Sequence, residues 1–138
     1  MEKVTRFGVS MDSNLLKKFD ELIMKSGYKN RSEALRDLMR ESLVDQEWKE
    51  DKEIVGILGI VYNHETHDLT ETINHIQHQY IQEILSSTHI HLDHHNCLEV
   101  IILKGKSSTI KSISDKMLSI KNVKHGQLIS TTTGEHID

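Results

Sequence analysis

The sequence predicts an α+β fold in two parts, a strand followed by two helices and then a β-α-β-β-α-β unit. Apolar residues alternate near the start and then recur at helical spacing to about residue 48, and strand-like and helix-like segments follow one another to the end. All ten histidines lie after residue 63. We therefore expect two domains, 1–48 and 54–138, with polar residues 49–53 as a linker or continued helix end.

Composition argues against membrane insertion and secretion. The chain has 138 residues, a formal net charge of −4 and one cysteine, Cys97. It contains no apolar run of about 18 residues and does not open with a charged-then-apolar signal segment. We therefore expect a cytoplasmic protein that makes no membrane contact. Because Cys97 cannot form an intrachain disulfide, it is better explained as a metal ligand or a small buried residue.

The first predicted element is a strand at Thr5–Met11. Its residues alternate between an apolar and a polar face, Phe7, Val9 and Met11 against Arg6, Gly8 and Ser10. A single strand with two helices has an unpaired edge and too little core to stand alone. We expect it to pair antiparallel with its copy in a second chain. The result is a dimeric ribbon-helix-helix domain, whose two-stranded ribbon can enter the DNA major groove.

Two helices are predicted after this strand. The apolar residues of the first recur at helical spacing: Leu15, Leu16, Phe19, Leu22 and Ile23. Gly27 is placed as its stop. The second helix begins after Asn30, a good N-cap, with Glu33 three residues on as in a capping box, and runs to about Trp48.

The second part has the element order of a ferredoxin-like, split βαβ fold. Its first strand, Ile54–Tyr62, is apolar on both faces and is predicted to be covered on both sides. The remaining elements are a helix from about Asp68, strands at Thr88–Leu92 and Cys97–Leu103, a helix at Ser107–Ile120 and a strand near Gly126–Thr131. The first of these helices should bury one stripe, Leu69, Ile73, Ile76, Tyr80 and Ile84.

Metal-ligand residues converge on two neighbouring predicted strands. His89 and His91 lie on one face of the first strand, because successive side chains alternate. We expect the second strand to turn its purely apolar set toward the helices, Leu98, Val100 and Ile102. Cys97 and Glu99 then project to the same side as the two imidazoles, on the outer face of the sheet.

A further donor could come from the preceding helix, where His78 falls almost opposite the apolar stripe. Such a residue is exposed to solvent or serves another subunit. Three imidazoles and a thiolate suit nickel, copper or zinc, and suit magnesium or calcium poorly. Tetrahedral placement would favour zinc and square-planar placement nickel(II) or copper(II), a choice that these residues leave open. Other histidines could make auxiliary metal contacts, although most should be solvated: His64, His67, His75, His94 and His95.

Several motifs resemble those of one known family. They are Gly27–Ala34 (Gly-Tyr-Lys-Asn-Arg-Ser-Glu-Ala), Gln77–His78, Thr88–Glu99, Leu103–Gly105 and Val123–Gly126. Over nearly the whole chain they resemble the nickel-responsive ribbon-helix-helix repressors, the NikR family. The combination of motifs is highly specific.

The resemblance implies an ACT-like regulatory domain and a homotetramer, a dimer of dimers with these domains at its centre. It implies one square-planar nickel(II) per chain, held by His89, His91 and Cys97 of one chain and His78 of another. Positions associated with the surroundings of this site are Tyr62, His64, Gln77 and Glu99. The family also suggests a potassium-type site between the domains at Glu33 and Asp37. Taken alone, these two carboxylates, one helical turn apart, more often form a solvated face or pair with arginines.

The resemblance further implies binding to double-stranded operator DNA at the promoter of a nickel-uptake system. Arg6 and Ser10 would read base edges, and Gly8 between them brings no side chain, so the operator would differ from those of relatives with a hydroxyl there. Phosphate would meet a helix N-terminus and a cation at Asn30, Arg31 and Ser32. Nickel and DNA should strengthen each other's binding.

Other functions are also compatible with parts of this pattern. One alternative is a ribbon-helix-helix regulator that senses copper, zinc, cobalt or an amino acid. Another is an antitoxin whose C-terminal segment clamps a protein toxin, although a folded βαββαβ unit with convergent ligands speaks against it. A metal enzyme needs an open coordination position, and four protein ligands leave none, so we do not expect an enzyme.

Overall fold

The computed structural model describes residues 3–138, so the first two residues of the predicted 1–48 domain lie outside it. Its helices and strands are α1 (Ser13–Lys25), α2 (Arg31–Lys49), β1 (Glu53–Asn63), α3 (Leu69–Gln79), β2 (Ile84–His91), β3 (Asn96–Lys106), α4 (Ser107–Leu118) and β4 (Val123–Thr131). The chain divides into two units, one ending at Arg40 and the other running from Glu41 to Asp138. The division falls within α2, whose C-terminal half therefore belongs to the second unit.

The predicted strand at Thr5–Met11 is not formed in the single chain. Residues 3–12 carry no regular secondary structure and are exposed. A strand is defined by hydrogen bonds to a neighbouring strand, and the part of the first unit that the structure describes has no other extended segment to supply them. The ribbon therefore remains a prediction that concerns two chains.

The end of α1 and the start of α2 lie where the sequence predicted them. At the end of α1, Gly27 has φ +86°, and the Tyr28 N–H donates to the Ile23 carbonyl at 3.0 Å, which closes a Schellman-type cap. At the start of α2, the Asn30 side chain accepts from the Glu33 N–H at 2.9 Å. The capping residues read from the sequence therefore fix both helix ends.

The second unit has the predicted β-α-β-β-α-β order and an ACT-like, ferredoxin-type sheet. Its four strands lie in the order β2-β3-β1-β4, with each neighbouring pair antiparallel. One face of the sheet, here the helix-covered face, packs on α3 and α4 to form the core: Ile54, Leu58, Ile60, Tyr62, Leu69, Ile73, Cys97, Ile101, Leu103, Ile110, Ile113 and Met117. None of the helices in residues 3–138 has the length and hydropathy of a membrane span.

Two sequence predictions about this unit were wrong in detail. Ile84 is the first residue of β2 rather than a member of the α3 stripe, because α3 ends at Gln79. The sequence also predicted that β1 would be covered on both sides. Within the chain only one side is buried, because both helices lie on the same face, and Val55, Ile57 and Val61 on the opposite, open face are only half-buried.

Candidate metal centre

The turn between β2 and β3 sets the register of the candidate site. Within it, the Asp93 carboxylate accepts from the His95 N–H at 2.8 Å and from the Asn96 N–H at 2.7 Å. These bonds lower the pKa of Asp93 to about 2, with the contacts to Asn96 contributing most. An Asp that bonds its own backbone two or three residues on stabilises a tight turn. The turn places His91 directly opposite Cys97.

The two neighbouring strands present the predicted donors on a common side. His91 pairs with Cys97 and His89 with Glu99 across the β2–β3 ladder. Directly opposed residues project to the same face of a sheet. The predicted convergence of these four side chains is therefore present.

The face on which they converge is opposite to the one predicted. Cys97 and Glu99 are buried on the helix-covered face, together with Ile101 and Leu103. The set expected to face the helices lies on the open face and is half-buried: Leu98, Val100 and Ile102. The residues on both faces of β3 are mainly apolar, so the sequence prediction relied on the charge of Glu99 to choose the exposed face, and that choice was wrong. His89 and His91 stay exposed because they lie on the edge strand β2.

The closest donor contacts surround the Cys97 sulfur. His64 Nδ1 lies 3.3 Å and His91 Nδ1 3.7 Å from Cys97 Sγ. Cys97 is fully buried, His64 is half-buried and His91 is exposed. These are the only three described residues whose donor atoms gather as a potential metal-binding group, all within 4.8 Å of one another. The structure thus offers one thiol and two imidazole nitrogens at a single point.

His64 was expected only near the site, yet it contacts the cysteine directly. The signal was present in the sequence, because Tyr62 and His64 are two residues apart and should share a face near the end of β1. Tyr62 pairs with Cys97 across β1–β3. The His64 N–H also donates to the His95 carbonyl at 3.0 Å, which holds the segment after β1 against the β2–β3 turn.

His89 is held by a second network on the same face. Its Nδ1 lies 3.3 Å from the Tyr62 hydroxyl, which in turn donates to Glu99 Oε2 at 3.5 Å, while Ser87 donates to Glu99 Oε1 at 3.3 Å. Burial, followed by the nearby Glu99 charge, raises the pKa of Tyr62 to about 12, so the hydroxyl keeps its single proton. If that proton goes to Glu99, the Tyr62 oxygen can accept from His89 in the tautomer that carries its proton on Nδ1. The lone pair of His89 Nε2 is then left free for a metal ion.

We expect Tyr62→Phe to weaken nickel binding by roughly 10- to 100-fold, as removal of a group that orients a ligand does. The substitution removes the acceptor for His89 Nδ1–H but keeps the ring that packs in the core. Competition with a coloured chelator would measure the affinity, and Tyr80→Phe, directly after α3, serves as a control. Unchanged nickel affinity in Tyr62→Phe would show that His89 needs no such partner.

Burial governs the protonation of the thiol. It raises the pKa of Cys97 above its usual value, with the nearby carboxylates of Glu99 and Asp93 acting in the same direction and the contact with His64 opposing them. A metal ion must therefore displace a firmly held proton to bind the sulfur.

His78 does not join the other donors within the chain. It is exposed on the last turn of α3. The chain just beyond α3 meets the far end of β3, since the Lys104 N–H donates to the Glu83 carbonyl at 2.8 Å. Lys104 lies seven positions after Cys97, roughly 23 Å along the strand. Next to His78, the buried Gln77 Nε2 has no hydrogen-bond partner in the part of the chain that the structure describes.

The residues predicted for DNA and potassium lie in the first unit, and Arg31 and Asp37 already have side-chain partners there, in addition to the Asn30 cap described above. Arg31 donates two hydrogen bonds to Asp20, each at 2.8 Å, and this contact lowers the pKa of the Asp20 carboxyl. Asp37 accepts from the Tyr28 hydroxyl at 2.6 Å. The other predicted residues are exposed, apart from the half-buried Glu33: Arg6, Gly8, Ser10, Asn30 and Ser32.

Comparisons with known proteins match both units. Residues 55–131 match the family model described as NikR C terminal nickel binding domain, and residues 5–46 match ribbon-helix-helix protein, copG family. Proteins named as nickel-responsive regulators are similar over their length. The one from Thermococcus onnurineus is 52% identical, covering 98% of this chain and 99% of the relative. The one from Nitratidesulfovibrio vulgaris is 51% identical, covering 99% of this chain and 99% of the relative. The one from Caldanaerobacter subterraneus is 49% identical, covering 99% of this chain and 90% of the relative.

One solved structure supports the fold alone. An uncharacterized protein from Thermotoga maritima superposes with a TM-score of 0.51 at 20% identity, covering 56% of this chain and 96% of that one.

Proposed function

The chain belongs to the family of nickel-responsive ribbon-helix-helix transcriptional regulators, which are not enzymes, and from this premise we propose that it represses nickel-uptake genes when nickel is bound. It would do so in the cytoplasm by binding operator DNA as a homotetramer. The observation that carries the proposal is the convergence of His89, His91 and Cys97 on β2 and β3, in a chain whose first domain matches the ribbon-helix-helix family.

The donor set fits nickel(II). A thiolate and imidazoles are borderline-soft ligands, and a planar set of nitrogen and sulfur donors is typical of nickel(II) or copper(II). His91 and Cys97 are already neighbours, and the His89 and His91 rings lie 5.1 Å apart between centroids. We propose that these three residues hold one nickel per chain. The bound ion supplies a link between donors of two chains.

His78 of another subunit completes this set. Within one chain, His78 lies on the last turn of α3, and the segment after that helix meets the end of β3 remote from Cys97. The sequence placed the receiving donors on the outer face of the sheet, where a second subunit could stack, and that placement was wrong. The distance along β3 between Cys97 and the end that the segment after α3 meets supports a site shared between chains for a different reason.

Exposed apolar side chains support a dimer of the first unit. Large hydrophobic residues of this unit are unusually exposed in the single chain: Val4, Phe7, Val9, Met11, Leu15, Leu22, Met24, Leu38 and Met39. An apolar surface of this extent marks a protein interface. Pairing of two Thr5–Met11 segments would cover Phe7, Val9 and Met11 and turn Arg6 and Ser10 outward, toward the major groove.

Phosphate contacts would come from the start of α2, where N–H groups and the positive end of the helix favour anions. Asn30 and Ser32 lie there and are exposed. Arg31 would bring its charge while staying paired with Asp20. A potassium ion at Glu33 and Asp37 belongs to the proposal through family resemblance, with Asp37 still accepting from Tyr28.

The proposal is tested on DNA upstream of this gene and of neighbouring transporter genes. We expect nickel-dependent binding there. Arg6→Ala should weaken it by about 1–3 kcal/mol for each base that Arg6 reads, with nickel affinity unchanged. Fluorescence anisotropy with labelled promoter fragments measures the operator affinity, and Lys111→Ala, an exposed cation on α4, controls for the change in charge. If Arg6→Ala binds the operator as tightly as wild type, the ribbon does not contact the DNA bases through Arg6.

A further inference from the structure

The junction between α2 and β1 is hydrogen-bonded to the start of α4. The Trp48 carbonyl, in the last turn of α2, accepts from the Ser107 hydroxyl at 2.6 Å. Beyond the helix, the Asp51 carboxylate accepts from the Ser108 N–H at 2.8 Å, and the Lys52 carbonyl accepts from the Ser107 N–H at 3.1 Å. These three bonds, here called the junction network, satisfy a carbonyl at the end of α2 and two N–H groups at the start of α4, which no helix can satisfy by itself.

Asp51 is suited to its place in the junction network by its conformation and its charge. Its backbone has φ +57°, in the left-handed region that Asp and Asn adopt more readily than other residues with a side chain. Its carboxylate lies at the positive end of α4, where a negative charge is stabilised. The hydrogen bond from the Ser108 backbone, followed by one from the Ser108 side chain, lowers the pKa of Asp51. The carboxylate is therefore charged at neutral pH.

Further contacts attach the last turns of α2 to β1, to the end of β4 and to the residue after it. The Trp48 indole N–H donates to the Thr131 carbonyl at 2.9 Å, and the Thr132 hydroxyl donates to the buried Glu47 carboxylate at 2.8 Å. The Trp48 ring lies over Gly56 of β1, where an added Cβ would be 3.6 Å from the ring atom Cη2. The end of α2 is thus fixed to three elements of the second unit, β1, α4 and β4.

The same helix carries proposed DNA contacts at its other end. It runs without interruption from Arg31 to Lys49, and Arg31 and Ser32 in its first turn are proposed to meet phosphate. A flexible linker after the helix would let α2 and β1 move independently. Residues 49–53 are instead held by the junction network, so any movement of β1 or α4 must carry the end of α2 with it.

We propose that the junction network couples the nickel site to DNA binding, so that nickel no longer raises operator affinity when the network is lost. The inference rests on the proposed function and assigns its regulation to residues outside the proposed nickel and DNA contacts. Asp51 and Ser107 are positioning residues in this account. Their loss should leave the nickel affinity without DNA and the operator affinity without nickel as in wild type, and should lower the factor by which nickel raises operator affinity.

Two substitutions weaken the junction network and two serve as matched controls. Asp51→Gly removes the carboxylate while keeping the left-handed backbone free of strain, and Ser107→Ala removes the hydroxyl that bonds to Trp48. Asp51→Asn is the control for the first, because its amide oxygen can still accept from the backbone and Asn tolerates a positive φ. Ser112→Ala is the control for the second, since Ser112 is an exposed serine on the same helix.

Limited trypsin digestion of the full-length, nickel-free protein tests the junction network without nickel or DNA. Trypsin cleaves after lysine, and Lys49 and Lys52 are exposed in the junction. Cleavage requires the backbone to open locally, so its rate reports how firmly the segment is held. We expect cleavage roughly 2- to 10-fold faster in Asp51→Gly and Ser107→Ala, as the loss of a hydrogen bond implies. Both controls should be cleaved at the wild-type rate.

The coupling itself is measured with the same labelled promoter fragments as for Arg6→Ala, with and without nickel. In Asp51→Gly and Ser107→Ala the factor by which nickel raises operator affinity should fall toward one, by roughly 2- to 30-fold, and in both controls it should equal that of wild type. A wild-type factor in variants that are cleaved faster, or wild-type cleavage of both variants, would overturn the proposal. Failure of the proposed function would appear separately, as a factor of one in the wild-type protein.

Discussion

Replacing Cys97 by serine is expected to abolish tight nickel binding and nickel-dependent repression while leaving the fold intact. A thiolate is a far stronger ligand for nickel than a hydroxyl, so affinity should fall by more than about 100-fold, beyond the range for removal of a supporting group. The serine hydroxyl can still bond to His64 or His91 in the buried position. Absorption of the nickel-loaded protein should show sulfur-to-nickel charge transfer in wild type and none in the variant.

The secondary structure and oligomeric state of the metal-free protein provide the control for the loss of nickel binding in Cys97→Ser. Circular dichroism and the oligomeric state of Cys97→Ser should match those of wild type, since the substitution changes one buried atom. His94→Ala, an exposed histidine in the β2–β3 turn, should keep wild-type nickel affinity. A tetrahedral or sulfur-free nickel centre in the wild-type protein would contradict the assignment of Cys97 to a planar site.

The second large effect is expected from mixing two variants that each fail alone. His78→Ala lacks the donor given to another chain, and Cys97→Ala lacks a donor of the receiving cluster. When both are unfolded together and refolded as mixed oligomers, a site is complete wherever the cluster of a His78→Ala chain meets His78 of a Cys97→Ala chain. Random assembly of equal amounts gives such pairs at about a quarter of all sites. Tight nickel binding should return at that stoichiometry.

A second mixture of variants serves as the control, because it forms mixed oligomers in which no complete metal site can arise. His89→Ala and Cys97→Ala both damage the receiving cluster, so no pairing of these chains rebuilds a site. We expect no tight nickel binding in their mixed oligomers. If the first mixture recovers nothing although mixed oligomers are verified, all four donors belong to one chain and the shared site is wrong.

The sequence predicted the features that follow from the alternation of side chains along a strand and from the residues that cap helices. Asn30 and Gly27 mark helix ends because their chemistry suits few other positions. His89, His91, Cys97 and Glu99 share a face because strands alternate, and the ladder confirms it. Local rules of this kind do not depend on the rest of the chain.

What the sequence left undetermined depends on contacts between distant residues. Glu99 lies on the buried side of β3 because Tyr62 and Ser87 hydrogen-bond its carboxylate, and no pattern within the strand shows this. His64 reaches Cys97 because β1 and β3 pair in a particular register. The segment Thr5–Met11 has no partner strand among the described residues of its own chain, and we expect a second copy to supply one. These outcomes follow from tertiary and quaternary structure.

The proposed coupling between nickel and DNA predicts how the operator affinity of the proposed tetramer changes between the nickel-free protein and the protein with one nickel per chain. Because coupling between two binding equilibria is reciprocal, nickel should raise operator affinity by the same factor by which operator raises nickel affinity, roughly 5- to 150-fold for typical couplings. In Cys97→Ser the factor should fall to one. Equal operator affinity of the wild-type protein with and without nickel would show that nickel does not control DNA binding by this protein.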